Sequence, residues 1–317
     1  MRSILSGLIG LWLVGALGFS PGAIAAEPGS GEGDSSAYSL DELAIELINP
    51  IGSLASLDNA FRYETYQGDL LEAGSQTKGT YTITPTIPFR LSNGRNLVIR
   101  TAIPVSFATP TYVTEDREHA DWLIRQRADT LPRDEIFIDG HGHLEDIRYD
   151  IAYGGVNDNG LLTMFGLAGV FPTSQDGSIE RDQYLLGPQV AVGKITDWGI
   201  FGAWAKHLVS VADVSNTFEP IDYDTSETSL RLFFAYGLGN GWQIISNPEI
   251  IYDWEGASDN KLLLPLGGGI SKTVRMGRLP MKMDLEIYGY LESPEAFGTD
   301  WMMTFRFTPL LPNWFHR

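Results

Sequence analysis

Strand-like runs in this chain are joined by connections that alternate long and short from end to end, and few folds tolerate that order. From Ile51 onward, short runs bounded by Gly, Asn, Asp and Pro predict strands at 51–67, 77–91, 96–112, 143–156, 161–173, 183–196, 198–212, 227–238, 241–254, 260–273, 279–292 and 299–309. The connections after the even-numbered runs are tight: Ser92-Asn93-Gly94-Arg95, Asp158-Asn159-Gly160, Thr196-Asp197, Gly239-Asn240-Gly241 and Val274-Arg275-Met276-Gly277-Arg278. Those after the odd-numbered runs are mostly longer and polar: 68–76, 113–142, 174–182, 213–226 and 293–298. A sandwich has no reason to gather its long connections at one end. An all-β, up-and-down antiparallel barrel spanning an outer membrane does, with short turns on the periplasmic side and long loops outside. The run count is even, as a chain that starts and ends on the same side requires.

The faces of the runs agree with a barrel. In 281–287, Met281, Met283, Leu285 and Ile287 alternate with Lys282, Asp284 and Glu286, which gives a strand one apolar and one charged face. Trp301, Met303, Phe305 and Phe307 likewise alternate with Met302, Thr304, Arg306 and Thr308, and Ile147, Tyr149 and Ile151 with Asp146, Arg148 and Asp150. In 161–173 and 183–212, Gly and Ala occupy both sets of positions and Lys206 adjoins His207, so the faces there stay unassigned. Trp198 and Trp242 follow short turns while Tyr112, Trp254 and Trp301 lie near long loops, the positions of two interfacial girdles. Prolines 85, 88, 104, 248 and 265 fall inside runs, where bulges near a barrel rim would accommodate them.

The N-terminal residues carry an export signal rather than structure. Arg2, an apolar run from Ile4 to Phe19 and small residues Ala23, Ala25 and Ala26 predict a signal peptide over 1–26. Residues 27–38 are rich in Gly, Ser and acid and read as a flexible segment. Next comes Ser39-Leu40-Asp41-Glu42, with the spacing of a capping box, and Leu40, Leu43, Ala44, Leu47 and Ile48 on one helical face before Asn49-Pro50. This predicts a periplasmic amphipathic helix over 39–49, ahead of a barrel over 51–312. Such a helix could plug the barrel, dock a partner or cap the barrel mouth; capping is the default expectation.

Composition removes several function classes. Cysteine is absent, so disulfides, thiolate metal sites and a Cys nucleophile are all excluded. The net charge is −18, and no Lys/Arg cluster offers a phosphate footprint, which argues against nucleic acid. Ser210 and His207 are three apart and would face opposite sides of a strand, so they cannot form a nucleophile–base pair, and no enzyme is expected. Gly267-Gly268-Gly269 opens no helix and reads as a bulge rather than a phosphate loop. Asp139, His141 and His143 include metal-ligand types, but glycine spacing in a loop reads as solvent-exposed, so neither metal nor cofactor is expected.

The candidate site is the barrel lumen. Twelve strands fall between the roughly eight that side chains fill and the roughly sixteen that enclose a channel. A narrow lumen follows, whose lining charges would set selectivity. The predicted lining is Arg62, Glu64, Arg90, Arg100, Asp146, Arg148, Asp150, Arg231, Glu249, Asp253, Lys282, Asp284, Glu286 and Arg306. The same charges could instead brace a closed, non-conducting barrel that acts through its external loops. Residues 113–142 could form a constriction loop, although a solvated external loop is the expected reading.

Several segments carry a resemblance: ELAIELINPIGSL, TPTIPFRLSNGRNLVIRTAIPV, EDIRYDIAYGG, FGLAGVFPTS, WGIFGAWAKHLVSVA, YGLGNGWQIISNPEIIYDWEG, LLLPLGGGISK and TDWMMTFRFTPLLP. Together they span Glu42 to Pro312, and the GLGNGW, SNP and YDW block is the most specific. The sequence resembles the outer-membrane proteins grouped as the MetA-pathway of phenol degradation family. That resemblance implies a transport-type barrel in contact with outer-membrane lipid, passing small solutes passively or by facilitation, hydrophobic or aromatic compounds among them. Two features depart from the family: Gly142-His143-Leu144-Glu145 stands where a plainer Gly-x-Gly is usual, and 113–142 is enlarged.

Overall fold

The computed structural model describes residues 38–113, 136–140, 142–174, 182–214, 224–277 and 279–311. The predicted signal peptide and most of the 113–142 connection lie outside the described residues. The chain opens with helix α1 (Leu40–Glu46), whose capping box is complete. The Glu42 N–H donates to Ser39 Oγ at 3.2 Å and the Ser39 N–H to Glu42 Oε2 at 2.6 Å.

The first strands are β1 (Ser56–Gln67), β2 (Thr77–Arg90), β3 (Asn96–Val113), β4 (Ile136–Gly140), β5 (His143–Leu144) and β6 (Ile147–Val156). Then come β7 (Leu161–Phe171), β8 (Gln183–Thr196), β9 (Gly199–Asp213), β10 (Ser226–Gly239), β11 (Trp242–Ser246) and β12 (Glu249–Asp253). The last are β13 (Leu262–Met276), β14 (Leu279–Glu292) and β15 (Gly298–Pro309). Neighbours pair antiparallel throughout, and β15 pairs with β1 to close the ring. β11 and β12 are halves of one stave, since both pair with β10 and β13 across the break at Asn247-Pro248. β4, β5 and β6 all pair with β3. The described residues therefore form a closed antiparallel barrel of twelve staves with one short helix.

The short turns keep their predicted chemistry. Asn240 and Gly241 lie between the paired residues Gly239 and Trp242, with φ of 54° and 79°. Two consecutive positive φ values define the two-residue hairpin that matches strand twist. After β13, the turn shrinks to positions 277 and 278, because the strand continues through Arg275 to Met276.

Several strand boundaries differ from the sequence expectation. Residues 51–55 are not strand: β1 begins at Ser56, and Ile51 turns inward and is fully buried. The run 241–254 breaks where Pro248 cannot donate to a ladder. The run 143–156 is interrupted at Glu145-Asp146, while β3 extends to Val113 against β4. Pro265 sits at a register shift between β13 and β14, whereas Pro85, Pro88 and Pro104 lie within β2 and β3 with no shift beside them.

Burial separates the two faces of the wall. On β14, Lys282, Asp284 and Glu286 are at most 5% exposed, while Leu285 and Ile287 are 42% and 52% exposed. β8 resolves the faces that sequence left open. Gln183, Leu185, Gly187, Gln189, Ala191 and Gly193 point inward, and Tyr184, Leu186, Val190 and Val192 point out. An outer face this apolar suits lipid, and Trp242, Trp254 and Trp301 stand exposed on it. Leu285 lies mid-strand, so Leu285→Lys should destabilise the barrel by about 2–4 kcal/mol in a bilayer. Urea unfolding in lipid vesicles measures this; an unmoved midpoint would show that this face does not meet lipid.

Candidate functional site: the barrel interior

Residues 38–55 enter the barrel at its short-turn end and stopper it. The apolar stripe of α1 supplies the driving force: Leu43, Ala44 and Ile45 are buried, as is Ile51 beyond the helix. Ile45 and Ile51 join a cluster with the interior residues Val98, Leu162, Met164, Ala191, Ile200 and Ile245. Leu43 and Leu54 pack on Leu310. The polar groups of the segment are also satisfied by the barrel wall. Arg100 Nη1 donates to Pro50 O at 2.5 Å, Asn96 Nδ2 to Ile51 O at 2.9 Å, and the Gly241 N–H to Asp41 Oδ1 at 2.5 Å. Arg275 Nη2 donates to Tyr38 O. Glu46, at the helix end, accepts from the Ser53 N–H and hydroxyl and so folds 50–53 back. The helix thus sits within the barrel end rather than across it, correcting the expectation of a simple cap. The amphipathic pattern could not distinguish these, because both placements bury the same stripe.

Beyond the stopper, the interior is polar and organised as ion-pair networks. In the first, Arg100 grips Asp150 with Nε at 3.0 Å and Nη2 at 2.7 Å from Oδ1. Gln189 Nε2 lies 3.4 Å from Asp150 Oδ1, and Trp204 Nε1 donates to Gln189 Oε1 at 2.9 Å. Three cations surround the Trp204 ring: Arg100 at 4.5 Å, Lys206 at 4.4 Å and Arg231 at 5.5 Å from its centroid. Arg231 is paired in turn with Glu249 at 2.5 Å.

The second network centres on Arg306, which reaches Asp58 at 3.2 Å, Asp284 at 3.4 Å and Glu286 at 3.0 Å. Lys282 pairs with Asp284 at 3.2 Å. Glu286 also accepts from the Tyr288 hydroxyl at 2.6 Å and from Asn247 Nδ2 at 3.0 Å. A third, toward the long loops, joins Lys78 to Glu145 at 2.6 Å, with the Ser106 hydroxyl donating to the same carboxylate.

The register places most of the predicted residues on one interior face. Arg100 and Asp150 are direct partners, as are Arg231 and Glu249, and Asp284 and Arg306. Arg62 and Glu64 lie 3.9 Å apart on β1, the arginine about half exposed. Arg148 shares that face and is exposed. Three others serve edges. Arg90 is exposed at the short-turn end; Asp146 accepts from the Thr173 and Ser174 N–H groups; Asp253 accepts from the Glu255 and Gly256 N–H groups. Sequence reading missed Asp58, Lys78, Glu145, Gln189, Trp204 and Lys206. Asp58 follows the parity of Arg62 and could have been found from it; Lys206 could not, because its strand alternates small residues on both faces.

His207 points outward, its Nδ1 at 2.9 Å from Thr228 Oγ1, whereas Ser210 pairs with the inward Leu185. The two share no face. His141 lies outside the described residues, and no group of three potential metal ligands occurs among the described ones.

No family model and no curated protein matches the chain. Among solved structures, an outer membrane channel from Pseudomonas putida F1 is similar, with a TM-score of 0.55 at 10% identity over 83% of this chain and 98% of that chain. A FadL homologue from Pseudomonas aeruginosa aligns with a TM-score of 0.39 at 8% identity, over 89% of this chain and 96% of that one. The Ralstonia pickettii toluene transporter TbuX gives 0.40 at 9% identity, over 93% and 99%. The first likeness is one of fold. With the closed ring and the apolar outer face, it gives this chain the architecture of an outer-membrane β-barrel.

Proposed function

We propose that this protein is an outer-membrane channel for small solutes, related to the MetA-pathway family that its sequence resembles and exported by the signal over 1–26. The observation that carries the reading is the closed twelve-stave wall with an apolar exterior and a charged interior. The residues of the two larger networks would line the path and set its selectivity, since ions and polar solutes respond to lining charge in a narrow lumen. Arg62 and Arg148, exposed on the interior face, extend that lining toward the long loops. In this reading residues 38–55, packed on wall residues near the short turns, would close the periplasmic end.

A second reading has one observation in its favour: Ile45 and Ile51 of the stopper are buried in one apolar cluster with wall residues, as in a permanently braced, non-conducting barrel. Recording from refolded protein in planar bilayers separates the two. The channel reading predicts discrete conductance steps from the full chain, small because of the stopper. Silence from both the full chain and a variant lacking 39–51 would overturn it.

A further inference from the structure

We infer that Lys206 and Ser229, beside Trp204, form a binding station for a small organic monocarboxylate inside the barrel. The inference rests on the channel reading and names a solute class for it. Of the three cations at Trp204, two are committed: Arg100 to Asp150 in a forked pair, and Arg231 to Glu249 at 2.5 Å. Lys206 has no carboxylate or hydrogen-bond partner among the described residues, and its Nζ lies 4.4 Å from the Trp204 ring centroid. The ring quadrupole offsets part of that charge, and only part.

Within the group around Trp204, three cations and two carboxylates leave one positive charge locally, where effective dielectric is low and an unpaired charge is costly. A monoanion neutralises it; a dianion would reverse the sign. Lys206 faces Gln189 on one neighbouring strand and Ser229 on the other. The amide of Gln189 is already engaged, with Leu167 O and Trp204 Nε1. Ser229 is largely buried as a residue, and its hydroxyl, which is not sealed from solvent, has no partner among the described residues. An ammonium and a hydroxyl on adjacent strands can donate to the two oxygens of one carboxylate.

The neighbouring interior positions across β7 and β8 are small, Gly166, Ala168 and Gly187, which keeps the wall low beside the station. Arg148 stands exposed toward the long loops from Asp150, again without a carboxylate partner among the described residues, and would draw anions inward.

Calorimetry on the full chain in detergent tests this, with benzoate as the probe and neutral benzamide as its isostere. Benzoate should bind at least tenfold more tightly than benzamide. Lys206→Gln should weaken benzoate binding at least tenfold, Lys206→Arg should retain most of it, and Lys194→Gln, on the outer face, should leave it unchanged. Circular dichroism would verify that each variant is folded. Equal affinity for the two probes, or benzoate binding indifferent to Lys206→Gln, would overturn the inference. Because binding is read without current, a silent bilayer with Lys206-dependent benzoate binding defeats the channel reading alone. Conductance without such binding defeats the station alone.

Discussion

Arg306→Ala should lower the stability of the barrel by about 3–5 kcal/mol, the range for breaking a buried ion pair by removing one partner. Arg306 on β15 is the shared partner of Asp58 on β1 and of Asp284 and Glu286 on β14, the two strands that flank it, and its loss leaves Lys282 alone against three carboxylates. Asp284 and Glu286 are almost completely buried, so neither can recover its hydration without opening the wall. Arg306→Lys should recover only part of the loss, because a single ammonium cannot reach all three oxygens in the fork geometry of a guanidinium. Adding Glu286→Gln to Arg306→Ala should restore some stability by removing one stranded charge. Urea unfolding followed by tryptophan fluorescence reads all three. A loss below about 1 kcal/mol, the ceiling for exposed pairs, would mean that the network is solvated rather than buried.

Deleting residues 39–51 should raise single-channel conductance several-fold and leave the barrel folded. The deletion removes α1 and Ile51 from the apolar cluster at the short-turn end, while the wall residues of that cluster keep their strand hydrogen bonds. Arg100 loses its bond to Pro50 O but keeps Asp150, so no bare charge is created. Ile45→Asp is a milder form of the same experiment, placing a carboxylate in the cluster and loosening the stopper without removing it. Unchanged conductance in both variants would show that the narrowest part of the path lies elsewhere. The charged ring around Arg306 would then be the next place to look.

Much of this architecture is written in the chain, and where it is not the reasons are physical. The count of staves follows from the alternation of turn lengths, and the outward face of β14 and β15 from strict alternation of apolar and charged residues. The capping box fixed the helix start at Ser39. Ile51-Gly52-Ser53-Leu54 misleads because an apolar residue every third position suits either a strand start or an inward turn, and only the Glu46–Ser53 contact decides. On β7 to β9 the interior positions mix Gly, Ala, Leu and Met with only a few polar residues such as Gln183, Gln189 and Lys206, so hydropathy carries little sign there. The interior pairs were legible as charges but not as pairs. Register between Arg100 and Asp150, fifty positions apart, depends on turn lengths that sequence fixes only to within a residue or two.

The seam between first and last strands sets the order in which this molecule can be assembled. Asn59 bonds to Phe307 across 248 positions, the Leu311 N–H donates to Ala55 O, and Leu310 packs on Leu43 and Leu54. The terminal strand therefore clips onto the root of the stopper, and the ring cannot close until nearly the whole chain has been synthesised. Contacts this distant in sequence form slowly, because the entropy of closing the loop is lost before any of them stabilises the structure. The stopper precedes the seam and lies inside it, so it must be in place before closure or pass through the finished mouth afterwards. Either way, the packing of Leu310 on Leu43 and Leu54 ties the seating of the stopper to the closing of the last strand.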